Sequence, residues 1–261
     1  MTDGKDAAAP AARRRFWDRA EAVAQPEGFA VQLDGRPVRL PGGAALRVAS
    51  PALATALAAE WQAAGGGAKG GEFTPSDLKL TRIAGTMLER IAPDRQASVA
   101  ALAGYAAGDL LCYRVHSPAL LAERQRQEWD PWLDWLRARH GIALAVTYGV
   151  MPVEQPPEAL ARVRGLLESL SDGVLAALGV AVPALGSLVL GLALAEGRLS
   201  AEQATSCATL DERTQMEIWG YDAQQAERLA ALGRDVADAV SFLRLVDAKG
   251  GESVPPAIDL P

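Results

Sequence analysis

The chain has 261 residues, 49% of them apolar, and carries a formal net charge of -6. That length suits one large domain or two small ones, with enough apolar residues for a core. The acidic balance argues against nucleic acid or an anionic membrane surface as the main partner, because both require a basic footprint.

The cysteines and the apolar runs favour a soluble protein of a reducing compartment. Cys112 and Cys207 form neither a CxxC motif nor a zinc-ligand spacing. The longest apolar run, residues 181–195, is interrupted by Pro183 and by glycines, and it is shorter than the roughly 20 residues of a membrane span. No apolar signal-peptide core occurs at the N-terminus, so we expect a disordered tail over residues 1–12.

A β-hairpin is predicted near the start of the chain. Residues 29–33 alternate between apolar and polar, Asp34-Gly35 follows, and a second alternating run covers residues 36–40. Asp-Gly between two such runs favours a turn in which both residues take positive φ. Residues 46–48 are interpreted as a third short strand.

Two helices complete the predicted N-terminal domain, residues 13–93. Ser50-Pro51 indicates a capped start for the first, and its apolar residues recur at helical spacing up to Ala64. The second helix is predicted to end at Pro93. The glycine-rich stretch 65–71 between them lacks the Ser or Thr that a phosphate loop places after its Lys, and is interpreted as a flexible linker.

The pattern after Pro93 is almost wholly helical. It predicts a bundle over residues 94–247, followed by a loose tail over 248–261. The predicted fold class is therefore α+β: a small N-terminal domain with an antiparallel hairpin or sheet and helices, followed by an all-α orthogonal helical bundle. Helix starts are indicated at Asp94, Ser117-Pro118, Pro156-Pro157, Ser200 and Asp222, and one further helix is predicted over residues 184–196.

Three of the six tryptophans lie within seven residues, in the stretch QEWDPWLDWL. Trp129 and Trp132 continue an apolar stripe that begins at Leu121, which predicts core positions for both, whereas Trp135 falls beside the stripe and is expected to be half-buried. Pro131 leaves two alternatives open: one long kinked helix, or two helices with Asp130 capping the second.

Nothing in the sequence supports catalysis. His116 and His140 are the only histidines, neither has a partnering motif, and we interpret both as structural. The Arg13-Arg14-Arg15 run is interpreted as a solvated end. We therefore expect no catalytic residue, no metal and no cofactor.

Two stretches place polar residues where packing does not demand them. Asp109 and Arg114 flank an apolar centre, and Gln215, Glu217 and Trp219 end a helix before Gly220. Gln215 and Trp219 share a helix face, while Glu217 lies about 200° from Gln215. The sequence leaves two interpretations open for Glu217, a solvated acid or a partner contact. It also leaves two open for Trp219, a core anchor or a partner contact.

Motifs spread along residues 13–245 resemble the assembly chaperones of the ATP synthase alpha subunit, found in mitochondria and some bacteria. The motifs are Arg15-Phe16-Trp17, residues 31–36, residues 48–53, Ala59-Glu60-Trp61, Leu80-Thr81 with Thr86, residues 109–114, Gln125 with residues 128–131, and residues 210–212 with Gln215, Glu217, Trp219 and Gly220. Their order and spacing, more than any single motif, carry the resemblance.

The resemblance implies a protein without catalysis that binds the free alpha subunit, prevents its aggregation and hands it to the beta subunit. It places the family's helix-end acid at Glu217, and we predict partner contacts by Glu217, Gln215, Trp219, Asp109 and Arg114. Structural roles are predicted for Trp61, Trp129, Trp132 and Asp130.

The expected partner is the alpha subunit, bound by a monomer without nucleic acid or membrane insertion. The Ala- and Gly-rich composition suggests a bacterial protein of the cytoplasm; a eukaryotic one would work in the mitochondrial matrix. Two alternatives stay open: an enzyme that uses carboxylates on the helical bundle, and a general interaction scaffold.

Overall fold

The computed structural model describes residues 12–149 and 151–246. The predicted tails, residues 1–12 and 248–261, lie outside these ranges except for residue 12.

The N-terminal part is built on short antiparallel strands. β3 lies at the centre and pairs with β2, β4 and β5, while β1 pairs with β6. The predicted hairpin is confirmed: Leu33 pairs with Arg36 around Asp34 and Gly35, whose φ angles are 48° and 79°. The strands are β1 Arg13–Arg14, β2 Ala20–Gln25, β3 Gly28–Leu33, β4 Arg36–Pro37, β5 Arg47–Val48 and β6 Glu72–Phe73.

Helices make up most of the remaining chain, which confirms the α+β class with a helical C-terminal part. They are α1 Pro51–Ala63, α2 Lys79–Thr86, α3 Arg95–Ala107, α4 Ala119–His140, α5 Pro157–Ser169, α6 Asp172–Leu185, α7 Leu188–Ala195, α8 Ala201–Ala208, α9 Leu210–Trp219 and α10 Ala223–Val246. Ser50, Asp94 and Ser200 cap α1, α3 and α8 as predicted, because each side chain accepts a backbone N–H of the first turn. A parallel pair that the pattern did not predict, β7 Tyr113–Arg114 with β8 Thr147–Tyr148, joins two loops of the helical part.

Two helix boundaries differ from the predictions. The helix expected over 184–196 is α7 alone, because Gly186 ends α6 in the left-handed region (φ 63°) and the Ser187 hydroxyl accepts the Leu190 N–H at 3.1 Å to start α7. The helix expected from Ser200 through Trp219 is divided between α8 and α9 at Thr209.

α4 is one helix that contains Pro131, which decides between the two alternatives for this stretch. Asp130 is therefore inside the helix and does not cap one. Its carboxylate instead lies 2.8 Å from the Arg114 guanidinium, an ion pair between α4 and β7. α4 ends at His140, where Gly141 adopts a left-handed conformation (φ 65°).

The interpretation of Arg13–Arg15 as a solvated end is wrong for Arg15, which is 2% exposed. Its guanidinium donates to the carbonyls of Trp17 (3.0 Å), Asp18 (2.9 Å), Ala64 (3.4 Å) and Gln62. A buried cation needs such acceptors, since losing water without them is costly. Arg15 thus joins the start of the chain to the end of α1.

The glycine stretch 65–71 is an ordered turn, so its interpretation as a flexible linker is wrong. The Arg15 N–H donates to the Gly71 carbonyl at 2.9 Å, and the Gly70 N–H donates to the Arg15 carbonyl at 2.7 Å. A Cβ atom on Gly71 would lie 1.9 Å from the Gly65 carbonyl oxygen. Glycine is required at position 71 because the backbone of Gly65 passes too close to leave room for a Cβ atom.

One continuous hydrophobic core runs from Trp17 in the N-terminal part to Leu243 in α10. α10 packs on α6 and α1, and the Ser50 hydroxyl donates to the Leu245 carbonyl at 2.6 Å. The division into domains at Pro93 stays a prediction.

Candidate functional site

The end of α9 presents the predicted contact residues to solvent. Glu217 has half of its side chain exposed, and its Oε2 accepts a hydrogen bond from Arg124 Nη1 of α4 at 2.7 Å. The same Nη1 donates to the hydroxyl of Thr214, which is fully buried, at 3.0 Å. Because Arg124 is fixed by a buried partner, it holds the Glu217 carboxylate in one place on the surface.

Trp219 is 76% exposed, so it is not the core anchor that one interpretation of the sequence allowed. Gln215 lies on the same face of α9 as Trp219, as the helix spacing predicted, and the structure shows that it is also exposed. Ile218 and Tyr221 beside it are 46% and 78% exposed. The Gln215 face borders a groove of about 630 Å³ with a largely polar lining: Asp211, Glu212, Gln215, Met216, Trp219, Gly220, Asp222, Gln225 and Arg228.

Further exposed apolar side chains lie near the start of α4 and in the loop that follows it. Leu120 is half exposed and precedes Arg124 by one helical turn, so both occupy the same face of α4. The His116 ring stacks on Tyr148 with centroids 4.6 Å apart. Of the eight large apolar side chains that the described residues expose, seven belong to this region and the end of α9: Leu120, Val146, Tyr148, Met151, Ile218, Trp219 and Tyr221. We call these seven the apolar surface.

Asp109 and Arg114, both predicted contacts, are buried. Asp109 accepts from the Ser187 hydroxyl (2.8 Å) and from the N–H groups of Val189 (3.0 Å) and Leu111 (3.1 Å). Burial raises the pKa of Asp109 to about 6. Through these hydrogen bonds the Asp109 carboxylate joins the loop after α3 to the start of α7. Because it is fully buried, it cannot reach a partner in this structure.

Arg114 is 5% exposed and connects β7 to α4. It donates to the carbonyls of Leu111 (2.7 Å) and Gln125 (3.0 Å), and its guanidinium lies over the Trp129 ring at 5.2 Å. Gln125 continues the connection, since its side-chain NH₂ donates to Asp211 Oδ1 in the first turn of α9 at 2.9 Å. Arg114 and Gln125 thus support α4 and α9, which carry part of the apolar surface, whereas Asp109 supports α7.

The predicted structural tryptophans lie in or against the core. Trp61 is 8% exposed and donates to the Thr81 hydroxyl at 3.0 Å, and Trp129 is fully buried and donates to the Cys207 carbonyl at 2.9 Å. Trp132, predicted as core, is only half-buried, with its ring edge against Trp135. Trp135 is half-buried, as the helix wheel predicted.

Sequence reasoning assigned no role to Glu60, which caps α2. Its carboxylate accepts the N–H groups of Leu80 (2.7 Å) and Thr81 (2.9 Å) and the Thr81 hydroxyl (2.7 Å). Burial raises its pKa. The acid comes from α1, 20 residues away in the chain, so the local cap pattern of α2 carries no signal for it.

Comparison with known proteins identifies the family. The family model for the ATP12 chaperone protein matches residues 14–137. The crystal structure of Atp12 from Paracoccus denitrificans is 38% identical and superposes with a TM-score of 0.83, covering 89% of this chain and 98% of that chain. The chain belongs to the ATP12 chaperone family.

Other relatives agree with this membership. The Agrobacterium tumefaciens protein Atu1473 is 35% identical, with a TM-score of 0.84 over 90% of this chain and 87% of that one. The mitochondrial protein atp12 of Schizosaccharomyces pombe is 24% identical and covers 79% of this chain and 74% of its own length. The resemblance to ATP synthase assembly chaperones is thereby confirmed.

In the described residues of this ATP12-family chain, burial raises the pKa of two acids, Asp109 and Glu60. A carboxylate enzyme needs two acids with shifted pKa values in one pocket, but Asp109 and Glu60 occupy separate sites and neither lines a groove described here. No group of three or more potential metal ligands occurs within residues 12–149 and 151–246. None of the helices in those ranges is long and apolar enough to cross a membrane.

Proposed function

We propose that this chain binds the free alpha subunit of the ATP synthase catalytic sector, prevents its aggregation and releases it to the beta subunit. The apolar surface is the observation that carries the proposal. Isolated exposed apolar residues are common, but Ile218, Trp219 and Tyr221 are exposed close together at the end of α9, and Leu120 lies on the face of α4 whose Arg124 contacts Glu217. Such a concentration of large exposed apolar side chains is typical of a protein-binding surface. A ring subunit without its neighbours exposes an apolar interface that this surface can cover.

Glu217 and Gln215 make the proposed surface partly polar. Charged and polar groups at the rim of an interface speed association and set orientation, while they add little to its lifetime. Tightness would come from Trp219 and Tyr221, since tryptophan and tyrosine dominate binding energy at interfaces. Such a surface suits a chaperone that must later yield to the beta subunit.

Asp109 and Arg114 take a supporting role in this proposal. Asp109 joins the loop after α3 to α7, Arg114 joins β7 to α4, and Gln125 extends the second connection to α9 through Asp211. We further propose that the chain acts as a monomer in the bacterial cytoplasm, where the free alpha subunit is made.

Light scattering of purified alpha subunit, with and without an equimolar amount of this chain, tests the function. The chain should slow the growth of scattering, and added beta subunit should displace it from the complex. If scattering grows equally fast with and without the chain, the proposal fails.

Glu217→Lys tests the site, because it replaces the carboxylate that now lies 2.7 Å from Arg124 by a cation that Arg124 repels. We expect it to weaken protection of the alpha subunit while the melting temperature stays within a few degrees. Glu27→Lys is the matched control, since Glu27 also forms an exposed ion pair, 2.9 Å from Arg47, but on the N-terminal sheet. Equal loss of protection in both variants would contradict a site at Glu217.

A charge reversal separates direct contact from orientation. In the double variant Arg124→Glu with Glu217→Lys, the ion pair between α4 and α9 can form again with opposite polarity. Restored protection would mean that Glu217 orients the end of α9, whereas continued loss would mean that its carboxylate contacts the alpha subunit.

A further inference from the structure

A second surface with different chemistry lies on the N-terminal part of the chain. Two adjoining grooves, of about 360 and 500 Å³, share Arg13, Arg39, Trp61 and Phe73 in their linings. We call them together the arginine groove. It follows β1, β4 and α2, elements that carry no residue of the apolar surface.

The floor of the arginine groove is apolar. Seven apolar residues of the lining are nearly buried, each with 4–8% of its surface exposed: Leu33, Val38, Leu40, Trp61, Phe73, Leu78 and Ile83. Phe16 lines the smaller groove and is 69% exposed, the one large exposed apolar side chain of the described residues outside the apolar surface. Phe16 packs edge-on against Trp17 with centroids 5.2 Å apart, so its position is set by the core.

The rim is basic although the chain as a whole has a net charge of -6. The smaller groove is lined by four arginines and no acid: Arg13, Arg14, Arg36 and Arg39. Arg14 pairs with Glu72 at 3.3 Å, whereas none of the other three has a carboxylate within 4.0 Å in the described ranges. This end of the groove therefore attracts anions, and three of its four arginines have no carboxylate partner among the described residues.

The larger groove adds cations, and two of its three acids are already engaged. It contributes Lys79, Arg82 and Arg90 against Glu89, Asp235 and Asp238. Glu89 accepts the N–H groups of Gly42 (3.0 Å) and Ala44 (3.1 Å), and Asp238 pairs with Lys79 at 3.3 Å.

We propose that the arginine groove binds an extended segment of a partner protein in which apolar residues alternate with Asp or Glu. The apolar side chains of the segment would pack on the apolar floor, and each carboxylate would bind a guanidinium in the bidentate geometry that arginine favours. Alternate side chains of an extended segment point to opposite sides, which suits a groove with an apolar floor and a charged rim. Single-stranded nucleic acid fits less well, because successive bases need several exposed rings to stack on, and only Phe16 is exposed while Trp61 and Phe73 are nearly buried.

Three labelled peptides test the proposal against the full chain by fluorescence anisotropy. The probe is a fluorescein-labelled heptapeptide, capped at both ends, that alternates Asp or Glu with Leu or Phe. One control peptide replaces each acid by lysine, and the other replaces each apolar residue by serine. We expect the probe to bind and both controls to bind at least tenfold more weakly; equal binding of either control would overturn the proposal.

The double variant Arg13→Glu with Arg39→Glu tests the location, because both side chains are exposed and line both parts of the groove. The matched control is Arg162→Glu with Arg164→Glu, which makes the same charge change at exposed positions of α5. We expect the groove variant to lose at least tenfold in affinity for the probe and the control to stay within twofold. Equal losses in both variants would mean that only net charge matters and would overturn the proposal.

The same groove variant separates this proposal from the proposed function. These binding measurements need no alpha subunit, so they can succeed or fail whatever happens in the aggregation assay. Circular dichroism must show unchanged helix content in both variants, since Arg39 also donates to the Gly43 carbonyl at 3.1 Å. If the groove variant does lose structure, Arg13→Glu with Arg36→Glu repeats the test with two exposed arginines that make no side-chain hydrogen bond within the described residues.

Discussion

Replacing Trp219 by alanine should separate binding from folding. About a quarter of this residue is covered in the free chain. For a tryptophan that buries at most about 250 Å², that corresponds to about 60 Å², or about 1.5 kcal/mol at 25 cal/mol per Å². The free energy of unfolding should therefore fall by no more than about 1.5 kcal/mol.

Trp129→Ala provides the contrast, since Trp129 is fully buried and hydrogen-bonded to the Cys207 carbonyl. Deleting a buried tryptophan costs about 3–5 kcal/mol. Urea denaturation of the two variants, followed by circular dichroism, measures both losses. A loss above about 3 kcal/mol in Trp219→Ala would refute the exposure of Trp219 on which the proposed site depends.

Trp219→Ala should have a large effect on binding of the alpha subunit although its effect on folding is small. An exposed tryptophan at the centre of an interface contributes about 2 kcal/mol or more, which equals about a 30-fold change in affinity for the alpha subunit. Titration of the alpha subunit with folded Trp219→Ala should show that loss. Unchanged affinity would remove Trp219 from the proposed contact surface.

Two further predictions concern buried charge. Arg15→Leu should lower the free energy of unfolding by about 3–5 kcal/mol, because it leaves several buried carbonyls without a donor; Arg14→Leu, at an exposed neighbour, should change it by less than about 0.5 kcal/mol in the same urea titration. Asp109 binds its proton more tightly in the folded chain, with a pKa of about 6, than at its usual 3.8. The free energy of unfolding should therefore fall as pH rises from about 4 to about 6. Asp109→Asn should remove that part of the slope, and parallel curves for the two proteins would contradict the assignment.

The predictions that the structure confirms depend on residues close together in the sequence. Asp34 and Gly35 determine the hairpin because a two-residue turn requires positive φ at both positions. Ser50, Asp94 and Ser200 start helices because each cap involves residues only three apart. Fold class and family follow from such signals and from their order along the chain.

Tertiary structure decided which residues are inside. Trp129 and Trp219 are the same residue type and both belong to helices, yet one is fully buried and the other 76% exposed. Arg15 is a core residue because backbone carbonyls of residues 62 and 64 converge on it, and Asp109 is buried because it meets the start of α7, 78 residues away. Contacts between distant segments set burial, and no spacing within a single helix or strand encodes them.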